Sequence, residues 1–506
     1  MGTRVPTAQV VRWPADGARP DAAWCRSLAA ALAEASTAEP KRLSRWLPSS
    51  VLSQLLVSCT GLLAAEETLV ELHPPSGVDC RVTVVGDTHG QLHDVLHLLS
   101  PAVAGEPSSD HWVVFNGDLV DRGAWGVETL ALACAWKLAQ PGQVTLLRGN
   151  HESEFCTSAY GFANELQAKF TVGTGRELYR RALRLFSVMP LAARLGKTLI
   201  LHGGLFRQPP PPQGKRKRGS VATSATESSV SLTQGASDQS ALPLSSLGTL
   251  AVLRDASRGG PDPEGEGATR VASDVLWSDP GPINGLVFNE ARGIGLVFGP
   301  DVTSAFCAAN DLRLIIRSHE GPDARHKREN MGSMLTGWCI DHTPPCGARL
   351  ATLFSAPDYP QFYAPTEERL NNTAAVAVLR GPPDWCDDVT LLHFAAQPRP
   401  DAGPYYELDE PGSDVEGPTT HEGDAPPPAD AAGACWTHSP PDGAAAAPAG
   451  ANGDAAHWDT TGHGVTGEPE GGHVASPVEV EATPGVDAAT AEEHTARGGA
   501  DADVLW

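Results

Sequence analysis

Five short apolar runs in this chain end in residues that bind metals or carry protons. RVTVV leads into Gly86-Asp87-Thr88-His89-Gly90, HWVVFN into Gly117-Asp118 and then Asp121-Arg122-Gly123, QVTLLR into Gly149-Asn150-His151-Glu152, KTLIL into His202-Gly203-Gly204, and LRLIIR into Ser318-His319-Glu320. The donors are oxygen and imidazole nitrogen without thiolate, a set that suits Mn, Fe or Zn. Asp87, His89 and Asp118 can surround one ion, and Asp118, Asn150, His202 and His319 a second, with Asp118 bridging. Two ions bridged in this way sit about 3.5–4 Å apart and bring the pKa of a shared water toward ~7, giving a bridging hydroxide at neutral pH. Arg122, close behind Asp118, can grip phosphate oxygens with its planar fork. His151 can protonate a departing alkoxide, and Asp121 can hold that imidazole in the required tautomer. Nucleophile, charge neutralisation and acid together are what hydrolysis of a phosphate ester needs.

For side chains spread from residue 87 to residue 319 to meet, the runs that carry them must be neighbouring strands. The runs are β-branched or Leu-rich, and in the first part they alternate with helical segments, Gln91–Leu99 and Gly126–Leu138, at the roughly 30-residue step of a βαβ unit. In open α/β sheets the ligand crevice lies beyond the carboxyl ends of the strands, where all five motifs fall. Upstream, Leu43, Leu47, Val51, Leu52, Leu55 and Leu56 repeat at helical spacing, so residues 1–75 read as a helical lead-in. Residues 76–400 read as the α/β catalytic domain. Within it the rhythm stops at about 207–272, first for QPPPPQGKRKRGS and then for a Ser/Thr/Gln/Gly-rich stretch, so a disordered insertion is expected there.

Composition bounds the rest. Of the 506 residues 41% are apolar, as in an ordinary globular protein, but the 43 Pro and 52 Gly gather in the insertion and the tail. The formal charge of −24 is mostly local: residues 401–506 contain 21 acidic residues and one basic residue, Arg497, and so contribute −20. That segment is expected to be a disordered acidic tail, and the near-neutral remainder gives no footprint for nucleic acid. Ten cysteines occur without a C-x-x-C pair, no apolar leader precedes them, and no apolar run reaches membrane-spanning length. A soluble protein of a reducing compartment, nucleus or cytoplasm, is the reading these features support. Lys215-Arg216-Lys217-Arg218 has the form of a nuclear-localisation patch.

Taken in order, GDTHG, GDLVDRG, LRGNHE, HGGL, RSHE and SAPDY resemble the phosphoprotein phosphatase superfamily that includes types one, two-A, two-B and five, over roughly residues 79–398. GAWGVETL, GNHESEFCTSAYGF, HGGLFR, VLWSDP, ARGIGLVFGPDVT, RSHEGPDAR and FSAPDYPQF are more similar to the plant type-seven branch. The resemblance implies a calcineurin-like metallophosphoesterase fold, a central two-sheet β-sandwich flanked by helices. It implies two divalent ions, Mn or an Fe/Zn pair, and serine/threonine phosphatase activity on phosphoprotein substrates. It also supplies two residues that spacing does not: Arg292 as a second phosphate-binding arginine and Tyr359 as a tyrosine lining the cleft. Asp358-Tyr359-Pro360 departs from the usual Asn-Tyr-Cys. Calmodulin is a further partner associated with the type-seven branch. Arg176–Arg194 has the basic amphipathic look of a calmodulin target, against which stands a core helix at the equivalent place in the family. Two other functions compete: a dinucleoside polyphosphate hydrolase on the same scaffold, and a catalytically dead scaffold.

Overall fold

Alternation along the strands decides which way each side chain faces. The computed structural model describes residues 9–75, 79–209, 241–364 and 368–408. In β2 (Arg81–Val85), Val82 and Val84 enter an apolar layer between two sheets, while Val85 joins the layer beneath the helices. Thr83, pointing the same way as Val85, is satisfied by His111 Nε2 at 2.8 Å.

The first sheet has five strands in the order β14 (Asp388–Phe394), β13 (Ala374–Arg380), β2, β3 (His111–Phe115) and β4 (Val144–Leu146). The second has six: β1 (Leu69–Glu71), β5 (Ala192–Leu195), β6 (Thr198–Leu201), β10 (Leu314–Arg317), β12 (Arg349–Leu353) and β11 (Trp338–His342). Val82, Val84, Val114, Ile200, Ile316 and Leu379 fill the space between them. A small third sheet orders β7 (Asp279–Pro280), β9 (Leu296–Phe298) and β8 (Leu286–Phe288). The expected two-sheet α/β sandwich is the observed architecture.

Helices cover the outer faces. α1 (Ala22–Ala38), α2 (Ser49–Ala64), α3 (Leu92–Leu98), α4 (Gly126–Ala139), α6 (Phe162–Lys169) and α7 (Val172–Val188) contribute to one core with the five-stranded sheet. The helical lead-in is therefore a layer of the catalytic fold and not a separate unit. Leu28, Leu32, Leu52, Leu55 and Leu56 lie in the same cluster as Phe115 and Leu130. The basic stretch from Arg176 is α7, whose apolar side, Leu178, Ala182, Leu185 and Phe186, is buried in that core. α5 (Glu154–Ala159) follows the third motif, its N-terminus capped by Ser153. Among the described residues no helix is long and apolar enough to cross a membrane.

The expected insertion is corrected in its extent. Residues 210–240, with the basic patch Lys215–Arg218, lie outside the described residues, but from Ala241 the chain is built into the fold. Leu247, Leu250 and Leu253, three residues apart, pack against Phe206 and Phe306 around α8 (Leu250–Arg254), and α9 (Arg270–Trp277) follows. α10 (Pro300–Asn310) buries Val302 and Phe306 against the second sheet, and α11 (Pro322–His326) follows the fifth motif. The physical reason is that this apolar repeat is short and sits between polar stretches whose composition dominated the reading. The boundary at 400 moves as well: residues 401–408 are placed against the catalytic domain, and 409–506 lie outside the described residues.

Candidate active site

Parallel pairing brings the motifs together. β2 and β3 run in register with Val85 opposite Phe115, and Phe115 lies opposite Leu146 of β4, so the first three motifs emerge side by side. In the second sheet Ile316 of β10 pairs with Ile200 of β6, which sets His319 beside His202. A bridge between Asp87 and Phe354 and a hydrogen bond from His319 N to Asp87 Oδ1 (3.2 Å) join the two sheets at this end.

The loops turn tightly. His89, Asp118, Asp121, Arg122 and His319 all have φ between 40° and 72°, a left-handed conformation that costs a non-glycine residue of order 1 kcal/mol or more. Surrounding bonds hold it in place: Thr88 N and His89 N donate to the Asp118 carbonyl at 3.0 and 2.9 Å. Gly149 is needed for close approach, because a methyl group there would lie 2.1 Å from Asp118 Oδ1.

The six predicted metal ligands converge and are buried. His202 Nδ1 donates to the Asn116 carbonyl (2.8 Å), so Nε2 of the neutral ring carries a bare lone pair. That lone pair faces Asn150 Oδ1 at 2.9 Å and Asp118 Oδ2 at 3.3 Å. His89 Nδ1 donates to the Val120 carbonyl (3.1 Å), and its Nε2 faces Asp118 Oδ2 at 3.7 Å and Asp87 Oδ2 at 4.0 Å. His319 Nδ1 lies 2.8 Å from the same Asn150 Oδ1. Asp87 Oδ2 is buried without a hydrogen-bond partner. Lone pairs aimed at one another in a dry site are repulsive unless positive charge lies between them, so the donor set fits cations. The local electrostatics favour added positive charge: burial and then Asp118 push Asp87 up to about 8, while burial opposes charge on His202 but Asp118 outweighs it and raises the imidazole to about 9. Among the described residues two groups have ligand atoms within 4.8 Å of one another, Asp118–His202–His319 and His89–Asp118–His151. Asp87 stands beside both, 3.8 Å from His202 Nδ1.

His151 and Asp121 form the predicted pair, Nδ1 to Oδ2 2.8 Å. Asp121 is fixed in turn by the Phe162 amide at 3.0 Å, and His151 N donates to Asp118 Oδ1 at 2.9 Å. Burial works against charge on His151, but Asp118 and Asp121 outweigh it, so its pKa is raised.

A family model for the calcineurin-like phosphoesterases matches residues 80–323, which include every predicted site residue except Tyr359. The chain is similar to serine/threonine-protein phosphatase 7 of Arabidopsis thaliana, 43% identical across 79% of this chain and 92% of that protein. The chain belongs to the phosphoprotein phosphatase family of calcineurin-like phosphoesterases. A long form homolog of phosphatase 7 from the same plant is 42% identical, and this chain spans 27% of its length. Among solved structures, a protein serine/threonine phosphatase from Saccharomyces cerevisiae with similarity to human phosphatase PP5 has a TM-score of 0.53 at 29% identity, covering 72% of this chain and 95% of that one.

Within this family member, the residues taken over by resemblance border the cluster. Arg292 is held by Asp279 (Nε to Oδ2 2.5 Å), which also takes Arg317 Nη2 at 2.9 Å and lies 3.9 Å from His319 Nε2. The Tyr359 ring stacks on His89 with centroids 5.0 Å apart. The Arg122 guanidinium lies over the Tyr160 ring at 4.0 Å. Three contributors escaped the sequence reading of roles. Glu152 accepts from the amides of Asp118 (2.8 Å), Leu119 (2.9 Å) and Gly149 (2.8 Å), binding two strand-end loops together. Asn116 orients His202, and Asp279 anchors the second arginine. Glu152 and Asp279 stood inside quoted motifs, GNHE and WSDP, which is the signal that could have found them.

Proposed function

We propose that this protein hydrolyses phosphoserine and phosphothreonine esters in proteins, in one step, with two divalent ions. The observation that carries the reading is the meeting of imidazole lone pairs, the Asn150 amide oxygen and two carboxylates at one buried point, next to a His151–Asp121 pair. Asp87, His89 and Asp118 would hold one ion, and Asp118, Asn150, His202 and His319 the other. When bound, such ions supply positive charge against the phosphate oxygens and a water acidic enough to attack at neutral pH.

The chain's own groups do the rest. Arg122 and Arg292 neutralise and orient the phosphate, Arg292 kept in place by Asp279. His151 gives its proton to the departing serine or threonine oxygen, and Asp121 keeps the proton-bearing ring oriented and stabilises its charge. Tyr359, stacked on His89, closes one side. The similarity to phosphatase 7 supports phosphoproteins as substrates.

The test is phosphate release from a phosphoserine peptide, run beside diadenosine tetraphosphate, with Mn²⁺ and with chelator. Peptide turnover lost on chelation is expected. In Asn150→Ala and His202→Ala, bound metal falls below two ions per chain by elemental analysis, and kcat drops at least ~10³-fold, as for loss of preorganised charge stabilisation. Preference for the dinucleotide, or near-normal turnover in either variant, would overturn the reading.

A further inference from the structure

Beyond β14 the chain returns to the site. Gln397 N donates to Asp94 Oδ1 at 2.7 Å, and Arg399 Nη2 binds Asp358 Oδ2 at 2.8 Å, one residue before Tyr359. Asn164 Nδ2 then donates to the Tyr405 carbonyl at 3.0 Å, and the Tyr405 ring lies 5.8 Å from Lys169 Nζ. The next residue reaches the candidate phosphate-binding group. The Tyr406 ring centroid is 6.0 Å from the Arg122 guanidinium carbon, and its hydroxyl donates to the Arg122 carbonyl at 3.5 Å. With Tyr160 at 4.0 Å, Arg122 thus has aromatic rings from two distant parts of the chain around it.

The backbone is shaped for this contact. Gly161 has φ +116°, and a methyl group there would lie 3.2 Å from Tyr406 Cδ1 and 3.5 Å from Tyr405 Cβ. Residues 397–406 are therefore fastened to the Tyr359 loop at one end and to the Arg122 loop at the other.

We propose that Tyr406 is a positioning residue for phosphate binding, holding the Arg122 side chain against Tyr160 in the orientation that grips the substrate. The inference rests on the reading of Arg122 as a phosphate ligand. A half-buried arginine side chain still has several rotamers open to it, and each one excluded by a ring increases the fraction ready to bind. Aromatic faces do this without consuming the N–H donors that the phosphate needs, because the cation is held through the ring's π face. The strap extends past the residues matched by the family model, so it adds to the site something that the matched motifs do not contain.

The test uses the full-length, Mn²⁺-loaded protein and its Tyr406→Phe, Tyr406→Ala, Arg122→Ala and Tyr406→Ala/Arg122→Ala variants. kcat/KM for p-nitrophenyl phosphate is measured together with the Kd of inorganic phosphate by calorimetry. Tyr406→Phe is expected to behave as wild type. Tyr406→Ala is expected to lower kcat/KM and weaken phosphate binding by a similar factor, roughly tenfold, the scale of a partly desolvated cation–π contact. In the Arg122→Ala background the Tyr406 change should do nothing further, whereas a purely structural role would lower activity in both backgrounds. Wild-type behaviour of Tyr406→Ala, additive losses, or increased turnover would overturn the proposal. If wild type itself shows no turnover, the functional reading fails, and unchanged phosphate affinity in Tyr406→Ala then overturns this inference separately.

Discussion

Under the proposed mechanism His151 must hold a proton before it gives it to a leaving oxygen, and its surroundings favour that. Its Nδ1 is 2.8 Å from Asp121 Oδ2, and Asp121 is itself pinned by the Phe162 amide. Asp121→Asn keeps the shape and removes the charge. It should retain two bound ions by elemental analysis while kcat on a phosphopeptide falls roughly 10²–10³-fold, the usual worth of a positioned acid. At this scale much was legible in the sequence, because the six candidate ligands all fall within a few residues of the end of an apolar strand, five of them beside a glycine. Less legible were groups that act by orienting others. Glu152 accepts three backbone amides that belong to two loops, and nothing in a linear string shows which amides will gather there. Tyr406 follows a polar, Pro-containing stretch without periodicity, so neither spacing nor motif pointed to it.

The loops that carry the site are held from behind by buried ionic contacts between helices. α4 and α6 meet at a buried knot in which Lys169 Nζ binds Glu128 (2.6 Å), Glu165 (2.8 Å) and the Ala124 carbonyl (2.7 Å). Glu165 also accepts the Gly126 and Val127 amides at the start of α4, directly after the Arg122 loop. Burial disfavours charge on Lys169, but the two carboxylates outweigh it, so the ammonium is retained. Removing it strands both glutamates. Lys169→Met should destabilise the protein by about 3–5 kcal/mol, read as a lower urea midpoint with an unchanged slope. Element types were largely foreseeable: Leu92–Leu98 and Gly126–Ala139 fall where periodicity placed the crossover helices. The stretch after Ala241 was not, because three leucines at three-residue intervals are too few to outweigh a polar composition until Phe206 and Phe306 are seen beside them.

Across the whole molecule, stability is tied to pH through histidines kept neutral. His111 lies at the start of β3, its Nδ1 donating to the Glu106 carbonyl (2.9 Å) and its Nε2 accepting from Thr83 (2.8 Å). Burial is the main cause that lowers its pKa to about 4. The unfolded chain binds that proton near pH 6.5 and the folded one only near 4, so this contribution is complete above 6.5 and is lost as pH falls toward 4. Between pH 7 and 4 the unfolding free energy of wild type should therefore drop by about 2–3 kcal/mol more than that of His111→Gln, measured by urea denaturation at each pH. A different consequence follows from where the candidate ligands lie. Asp87, His89, Asp118 and Asn150 follow strands of one sheet, His202 and His319 follow strands of the other, and the ring beside Arg122 comes from residue 406. A chain still emerging from the ribosome carries the first sheet's donors long before their partners, and before β13 and β14 that complete that sheet, have been made. Catalytic competence thus has a late threshold during synthesis: a product terminated before His202 yields no weaker phosphatase, only part of a donor set whose other two imidazoles were never translated.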